Sequence, residues 1–461
     1  MHASQFSSLP LSPEILKNLE SLGYLEMTPI QAKSLPLVLK NHDIVAKAKT
    51  GSGKTAAFGL GLLAKLDLEG FHPQSIVMCP TRELADQVSK EIRRLARFTS
   101  NIRIVTLCGG KPFRLQAESL RFGAHIVVGT PGRIQDHINR KTLILGDINT
   151  LVLDEADRML DMGFFDAILD IIEVLPTNKQ TLLFSATFPH SIQAISQNIQ
   201  KNPIEISVEV AEDTPSITQI GYLVKTNNKD QMLIALLQHY QVQSAIVFCT
   251  TKIQCDALAW ELCQKGFAAL AIHSDLEQRD REEVLLQFAN NSCSVLVATD
   301  VAARGLDIKD LPVVINYDLP STADNYVHRI GRTGRNGKPG MAISLYSEPQ
   351  IYKIEEIEAY TKITIERLEK TSLTVGETII KPAMRTLCIS AGKKNKMRPG
   401  DILGALTGEC GLKKEQVGKI DIFDFHSYVA IAHEIADKTL HKLENGKIKG
   451  RAIKVRYLEH A

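Results

Sequence analysis

The sequence predicts an α/β fold built from two doubly wound parallel sheets, followed by a smaller α+β domain. Three observations lead to this prediction. Short apolar runs alternate with helical stretches over residues 1–207, and a second series of the same kind continues to about residue 368. A polar, proline-containing stretch separates the two series. Residues 386–461 then follow the order β-α-β-β-α-β, which is typical of a ferredoxin-like domain.

The domain boundaries are placed where this pattern changes. Residues 1–207 are predicted to form the first domain and residues 217–370 the second, with a linker at 208–216 between them. A second linker at 371–385 leads to the C-terminal domain at 386–461. A chain of 461 residues is too long for a single hydrophobic core, which agrees with several domains.

Composition limits the class of protein. Hydrophobic residues make up 44% and charged residues 23%, as in ordinary globular proteins. No apolar run approaches the roughly 20 residues needed to cross a bilayer, and the N-terminus lacks signal-peptide features, so we expect a cytoplasmic protein without a membrane partner. The eight cysteines show no C-x-x-C pair, and we expect reduced thiols. Residues 386–461 carry 14 Lys and Arg against 9 Asp and Glu, a first indication of a nucleic-acid partner.

In the first domain the predicted strands are short apolar runs bounded by polar residues or glycine. They are Ile44–Ala48, Ser75–Cys79, Arg103–Leu107, His125–Gly129, Thr150–Asp154 and Gln180–Ser185. Helical segments such as Arg82–Phe98 lie between them. Phosphate loops in such sheets lie at the carboxyl ends of strands, so the chemistry is expected at that edge.

A glycine-rich turn between the first strand and a helix is the strongest candidate for a nucleotide site. Its residues are Thr50, Gly51, Ser52, Gly53, Lys54 and Thr55. Backbone N–H groups of such a turn, at a helix N-terminus, favour a polyphosphate. Lys54 would neutralise the β- and γ-phosphates, and the Thr55 hydroxyl would bind Mg²⁺. The P-loop pattern usually opens with Gly, and this chain has Ala48 there.

Two further motifs follow apolar strands of the first domain. Asp154 and Glu155 end the fifth predicted strand, where Asp154 is expected to hold Mg²⁺ and Glu155 to orient or deprotonate the attacking water. Such an acid cluster alone is a weak signal, but it becomes strong behind a buried strand about a hundred residues after a P-loop. Ser185-Ala186-Thr187 ends the sixth strand and is a candidate for coupling these acids to the neighbouring domain.

The second domain repeats the alternation without a glycine loop ending in Gly-Lys-Thr. Its predicted strands are Gln219–Val224, Ser244–Cys249, Ala268–Ile272, Ser294–Ala298, Val313–Tyr317 and Met341–Leu345. Because only one domain has a P-loop, we expect the nucleotide to be held between the two. A glycine-containing segment carries Arg329, Arg332 and Arg335. A guanidinium can stabilise transition-state charge on a γ-phosphoryl group, and Arg332 and Arg335 are the candidates for this role. Arg329 is instead compatible with a surface site for RNA phosphates.

In combination and order, these motifs resemble those of the DEAD-box ATP-dependent RNA helicases over residues 6 to 368. The resemblance implies two RecA-like domains that use ATP and Mg²⁺ and act on RNA. It also implies that Gln31, in Gly23-Tyr24-Leu25-Glu26-Met27-Thr28-Pro29-Ile30-Gln31, reads the adenine edge. Phe6 then corresponds to the aromatic residue that stacks on the base.

The same resemblance assigns residues to the RNA backbone. In the first domain these are Pro80, Thr81, Arg82, Gly109, Gly110, Thr130, Pro131, Gly132 and Arg133. In the second domain Val297 to Asp307 resembles the motif that contacts both RNA and ATP, with Thr299 on the RNA side and Asp307 near the ribose. The stretch His273 to Arg281 matches a further helix-start motif of that domain.

The C-terminal domain resembles the RNA-binding domain of the DbpA-type helicases, which bind a hairpin of large-subunit ribosomal RNA. The resemblance is carried by residues 390–406. As an RRM (RNA-recognition motif) it is degenerate, since Cys388 replaces the usual aromatic and the third strand lacks the Gly-Phe-Gly core. Base stacking would then be limited to Tyr428 and His426, and binding would shift to a basic loop. That loop contains Lys393, Lys396 and Arg398.

The function predicted from the sequence is an RNA-dependent ATPase that locally unwinds short RNA duplexes during ribosome assembly. Large-subunit ribosomal RNA and pre-ribosomal particles are the expected partners, and we expect a monomer. A different class of function, an ATP-gated RNA clamp or assembly scaffold with little unwinding, is the alternative. A DNA helicase is a third possibility, which an ATPase assay with RNA or DNA decides.

Overall fold

The structure is a computed structural model that describes residues 5–48, 51–185, 187, 190–208, 217–303, 306, 308, 310–334, 339–369, 373 and 379–458. The chain divides into two compact units. Residues up to 211 form most of the first unit, and the second unit contains two sheets.

The first unit contains a seven-stranded parallel sheet in the order β3-β4-β2-β5-β6-β1-β7. The strands are β1 (Ile44–Lys47), β2 (Ser75–Met78), β3 (Ile104–Leu107), β4 (Ile126–Gly129), β5 (Thr150–Asp154), β6 (Gln180–Ser185) and β7 (Ile204–Ser207). The helices are α1 (Pro13–Ser21), α2 (Pro29–Leu39), α3 (Lys54–Leu63), α4 (Arg82–Leu95), α5 (Phe113–Arg121), α6 (Pro131–Asn139), α7 (Ala156–Asp161), α8 (Phe165–Glu173) and α9 (His190–Ile199). The central strands are wholly buried, because helices cover both faces of a parallel sheet.

The second unit opens with another seven-stranded parallel sheet, ordered β10-β11-β9-β12-β13-β8-β14. Its strands are β8 (Ile217–Leu223), β9 (Ala245–Cys249), β10 (Ala269–Ile272), β11 (Val295–Thr299), β12 (Val313–Asn316), β13 (Gly340–Tyr346) and β14 (Glu366–Leu368). Its helices are α10 (Lys229–His239), α11 (Lys252–Gln264), α12 (Gln278–Ala289), α13 (Asp300–Ala303), α14 (Ala323–Ile330) and α15 (Ile351–Thr361).

The C-terminal domain is a four-stranded antiparallel sheet ordered β16-β17-β15-β18. Its elements are β15 (Met384–Ile389), α16 (Pro399–Gly404), β16 (Val417–Ile422), β17 (Ser427–Ala432), α17 (Ala436–Asn445) and β18 (Val455–Tyr457). A π-helical turn, Ala405–Glu409, extends α16. The predicted order β-α-β-β-α-β and the overall fold class are therefore confirmed.

One face of the C-terminal sheet packs on the second parallel-sheet domain, which belongs to the same unit. Cys388, Tyr428 and Leu458 form a buried apolar cluster with Leu286 of α12. The Tyr428 hydroxyl donates a hydrogen bond to Glu283 at 2.9 Å. The hydroxyl groups of Ser292 and Thr386 lie 2.8 Å apart, which adds a second polar contact. This packing fixes the sheet face against α12.

Two strands of the parallel sheets were not expected from the sequence. β7 and β14 are edge strands of only 4 and 3 residues, and their side chains are mostly exposed or half-buried. They therefore lack the apolar runs that marked the other strands. Among the described residues, no helix is long and apolar enough to cross a membrane.

Candidate functional site

The P-loop connects β1 to α3 and places Lys54 at the first helical position. Gly53 has a φ of +94°, in the left-handed region, where glycine is unstrained. A Cβ there would lie 2.5 Å from Nε2 of Gln31. The glycine therefore gives the backbone both its turn and its close approach to α2. Thr50 lies outside the described residues.

Helix α2 begins directly beside this loop. The Gln31 side chain accepts a hydrogen bond from the backbone N–H of Thr28 at 2.9 Å and donates one to the Gly53 carbonyl at 3.1 Å. The Thr28 hydroxyl donates to the Ser52 carbonyl at 2.8 Å. Gln31 is thus hydrogen-bonded to the backbone of the P-loop.

Phe6 is only 3% exposed and lies in the core of the first domain, with its ring in edge contact with Tyr24. A base could stack on this ring only if the packing opened. Stacking of Phe6 on adenine therefore stays a prediction.

Three buried polar atoms meet the requirements of a nucleotide and its cation. Lys54 Nζ, Asp154 Oδ1 and Ser52 Oγ are buried and have no hydrogen-bond partner among the residues that the structure describes. Burying such groups unpaired costs free energy unless a ligand pairs them. Burial raises the pKa of Asp154 to about 6, while the charge of Lys54 lowers it. These atoms fit a polyphosphate with a hard cation, because Mg²⁺ binds through one or two carboxylates, phosphate oxygens and water.

Glu155 follows Asp154 in a strained backbone conformation. Its φ is +54°, which is unusual for a residue other than glycine, and its side chain is buried. The carboxylate forms an ion pair with Arg158 at 3.1 Å, and both side chains are at most 5% exposed. Strain of this kind is concentrated at functional sites, where the surrounding structure holds it in place. Arg158 was not predicted from the sequence, since an arginine on a short helix carries no motif.

The motif Ser185-Ala186-Thr187 contacts Asp157, the third acidic residue of the stretch Asp154-Glu155-Ala156-Asp157. Oδ2 of Asp157 accepts hydrogen bonds from the backbone N–H and the hydroxyl of Thr187, at 2.9 and 2.8 Å. The Ser185 hydroxyl donates to the Thr187 carbonyl at 2.7 Å. Asp157 is therefore the residue through which the two motifs are joined within this domain. The sequence alone did not single it out.

The predicted RNA residues of the first domain follow β2, β3 and β4, which are adjacent in the sheet. Thr81 is the N-cap of α4, and Arg82 lies so close to Gly109 that a Cβ on that glycine would be 2.8 Å from the guanidinium. Arg133 donates to the Lys111 carbonyl at 3.1 Å. The residues predicted to contact RNA thus lie at the carboxyl ends of β2, β3 and β4. The residues predicted to bind the nucleotide lie at the carboxyl ends of β1, β5 and β6.

The other residues of the first domain that are predicted to contact RNA lie in or next to the same three loops. Pro80 and Pro131 are buried, Thr130 is half-buried, Gly132 is exposed, and Gly110 has a φ of +77°.

The arginines of the second domain have different environments. Arg329 is 3% exposed and forms a two-pronged ion pair with Asp300, at 2.6 and 2.7 Å. It also donates to Asn316 Oδ1 at 3.1 Å and to the Asp318 carbonyl at 2.6 Å. The interpretation of Arg329 as a surface site for RNA phosphates is therefore wrong, because its donors are used inside the domain. Arg332 is also buried, at 6% exposure.

Thr299 ends β11 and is 7% exposed. Arg335 and Asp307 lie outside the described residues.

The C-terminal domain separates its two predicted RNA surfaces. Tyr428 is 5% exposed, and burial together with its hydrogen bond to Glu283 raises its pKa, so the hydroxyl stays a donor. A base cannot stack on Tyr428 while the sheet face is packed on α12, which corrects that expectation for this arrangement. Lys393, Lys396 and Arg398 are all exposed. The three basic side chains of the loop therefore face solvent, whereas Tyr428 does not.

Comparison with known proteins agrees with these motifs. The DEAD/DEAH box helicase family matches residues 28–195, the helicase conserved C-terminal domain matches residues 228–337, and the DbpA RNA binding domain matches residues 386–457. The ATP-dependent RNA helicase DbpA of Escherichia coli (strain K12) is 50% identical over 455 residues, covering 98% of this chain and 99% of that protein. The DbpA of Bacillus subtilis (strain 168) is 38% identical, with the same coverage of both chains.

A solved structure, S. cerevisiae Dbp5 bound to RNA and ADP BeF3, is similar with a TM-score of 0.71 and 32% identity, covering 79% of this chain and 96% of that chain. The three family matches and the E. coli relative, which aligns with 98% of this chain, cover both parallel-sheet domains and the C-terminal domain. This chain therefore belongs to the DEAD-box family of ATP-dependent RNA helicases, and within that family to the DbpA type.

Proposed function

We propose that this helicase unwinds short RNA duplexes locally in large-subunit ribosomal RNA during ribosome assembly, and that its C-terminal domain selects the RNA. The observation that carries the proposal is the exposed basic loop 393–398 on a domain whose sheet face is packed against α12. Family membership supports ATP-dependent action on RNA, while the choice of ribosomal RNA rests on the resemblance of the third domain. We further propose that the protein acts as a monomer.

In the proposed chemistry, the P-loop backbone and Lys54 hold the phosphates of ATP, and Gln31 reads the adenine. Asp154 and Thr55 would hold Mg²⁺, which neutralises phosphate charge when it is bound. Glu155 orients the attacking water and accepts its proton. Arg332 and Arg335 stabilise charge on the transferred phosphoryl group. The Glu155–Arg158 ion pair holds the carboxylate in one orientation before ATP binds.

RNA is contacted through its backbone in the first domain, at the loops after β2, β3 and β4. Such contacts do not depend on base sequence. The helicase domains alone would therefore act on any single-stranded RNA, and selection requires a separate module. Unpaired bases of RNA are usually read by stacking and by polar contacts. The C-terminal domain is the part of the chain that adds such contacts.

The basic loop is held rigidly by its own domain. The backbone N–H groups of Lys393 and Lys394 donate to the carbonyls of Phe423 and Asp424, at 2.8 and 2.9 Å. Lys449 donates to the Lys396 carbonyl at 2.8 Å. These bonds hold the backbone of the loop in place, so its exposed cations project from a defined turn.

Replacement of Lys393, Lys396 and Arg398 by Ala should remove most of the preference for ribosomal RNA. We expect basal ATPase with any single-stranded RNA to be kept, because the helicase motifs are intact. Preferential stimulation by a large-subunit ribosomal transcript should fall to the level of a random transcript. The salt dependence of binding should also flatten, by roughly 0.7 in the log–log slope for each lost phosphate contact.

Lys413, Lys414 and Lys438 provide a matched control, since they are exposed cations elsewhere on the same domain. Their replacement by Ala makes the same change in charge and should leave the preference unchanged. A chain ending near Lys381 is predicted to behave like the loop variant, but it would also expose Leu286. The loop variant is therefore the cleaner test. If it still prefers ribosomal RNA, selection lies outside this loop.

A further inference from the structure

A groove of about 400 Å³ lies between helix α12 of the second helicase domain and the turn that joins β16 to β17 in the C-terminal domain. Both walls belong to the same compact unit. The lining that matters for its chemistry consists of Arg279, Glu282, Lys393, Phe423, Asp424 and Phe425. It thus combines aromatic rings, carboxylates and cations in one concave surface.

The aromatic rings of the groove are displayed rather than buried. Phe425 is 65% exposed and Phe423 38% exposed. The Phe423 ring makes an edge contact with Tyr428, at 5.4 Å between centroids, and its backbone N–H donates to the His426 carbonyl at 2.8 Å. The turn is therefore firmly held while its rings face solvent. Exposed aromatic side chains beside cations are the usual platform for unpaired bases.

The groove is continuous with the basic loop. Lys393 belongs to both, and its backbone N–H bonds to the Phe423 carbonyl. A Cβ on Gly392 would lie 2.2 Å from that carbonyl, so the loop and the turn are in direct contact at this point. An RNA strand whose phosphates lie on the loop therefore brings its bases to the entrance of the groove.

The carboxylates of the groove indicate which part of an RNA strand enters it. Glu282 and Asp424 line the groove, and Glu283 is paired with Arg279 at 3.1 Å. Carboxylates repel a phosphate, but they accept hydrogen bonds from the amino group of a base, as Glu and Asp do with cytosine N4. The basic loop is therefore suited to the phosphate of a nucleotide, and the acidic groove is suited to its base.

We propose that this groove binds an unpaired nucleobase that carries an amino group, supplied by the RNA strand whose phosphates contact the loop 393–398. The proposal rests on the proposed function of that loop. Phe425 and Phe423 stack on the base, and the carboxylates of Asp424 and Glu282 accept hydrogen bonds from its amino group. Because one wall belongs to α12, the bound base contacts the helicase domain as well as the RNA-binding domain.

The test uses the full-length chain with short single-stranded RNA and no ATP. Oligocytidine and oligouridine are matched probes, because cytosine has an amino group where uracil has a carbonyl. Each probe carries one 5-iodinated base, which crosslinks to aromatic side chains on illumination. We expect the cytidine probe to crosslink to the peptide that contains Phe423 and Phe425, and the uridine probe to do so weakly.

Binding measurements with variants give a second readout. Phe425→Ala should weaken oligocytidine binding roughly ten-fold, the loss expected for one stacked base, without changing the salt dependence. Lys393→Ala should instead lower the salt slope. Asp424→Ala together with Glu282→Ala leaves no side-chain acceptor at these positions and should remove the preference for cytidine. Tyr352→Ala, an aromatic that is 54% exposed on α15 of the same unit, should leave binding unchanged.

The results separate the groove from the loop. If neither probe crosslinks to the turn and Phe425→Ala binds like the wild type, the groove does not hold a base and the proposal is wrong. In that case the basic loop can still select ribosomal RNA. It does so if the variant with Ala at Lys393, Lys396 and Arg398 no longer prefers ribosomal RNA over a random transcript. An unchanged preference for cytidine in the Asp424 and Glu282 variant would overturn the role of the carboxylates.

Discussion

Glu155→Gln is expected to keep ATP binding and to lower RNA-stimulated turnover by a factor on the order of 10²–10⁴, the range for a lost general base. The substitution keeps the size and shape of the side chain but removes its ability to accept a proton. Glu155 is buried directly after β5, and its backbone φ of +54° is unusual for a residue other than glycine. Turnover is measured with saturating RNA and ATP.

The ion pair between Glu155 and Arg158 complicates this variant, since a neutral residue leaves a buried guanidinium without its charge partner. Nucleotide affinity and thermal stability must therefore be measured alongside turnover. Glu173→Gln is a suitable control, because Glu173 is an exposed carboxylate on α8 of the same domain. Wild-type turnover in Glu155→Gln would exclude Glu155 as the general base.

Arg335→Ala is expected to lower kcat by a factor on the order of 10³ or more, the size found when an arginine that stabilises a phosphoryl transition state is removed. RNA affinity should stay nearly unchanged. This prediction rests on the motif in the sequence, as Arg335 lies outside the described residues.

Arg335→Lys should recover little of the activity, since an ammonium lacks the planar, two-pronged geometry of a guanidinium. Single-turnover hydrolysis and RNA titration, measured on the same preparation, separate the two possible roles. If RNA affinity falls and kcat survives, the arginine belongs to the RNA site.

The two parallel sheets could be predicted because their central strands are buried on both faces and read as uninterrupted apolar runs. β7 and β14 were missed for the opposite reason, since short edge strands need no apolar face. The P-loop and the acidic motif were found because their chemistry depends on local sequence. Lys54 and Asp154 lie on different elements, yet each is recognisable from its immediate neighbours.

Contacts between distant parts of the chain could not be predicted from local sequence. The hydrogen bonds of Thr187 to Asp157 join residues 30 positions apart. Tyr428 meets Glu283 across 145 positions, and this contact decides that the sheet face is covered. Arg329 appeared as one of three similar arginines, and only its buried partners show that it is structural. Packing between domains carries no periodic signal in either partner, so it appears only in three dimensions.

Crosslinking of the full-length protein to cellular RNA, followed by sequencing, shows whether the C-terminal domain selects the RNA. The wild-type chain should be enriched at a confined region of large-subunit ribosomal RNA, relative to RNA abundance. The variant with Ala at Lys393, Lys396 and Arg398 should lose that enrichment, and the variant with Ala at Lys413, Lys414 and Lys438 should keep it. Equal enrichment on messenger RNA and on both ribosomal subunits, or an unchanged footprint in the loop variant, would contradict the account.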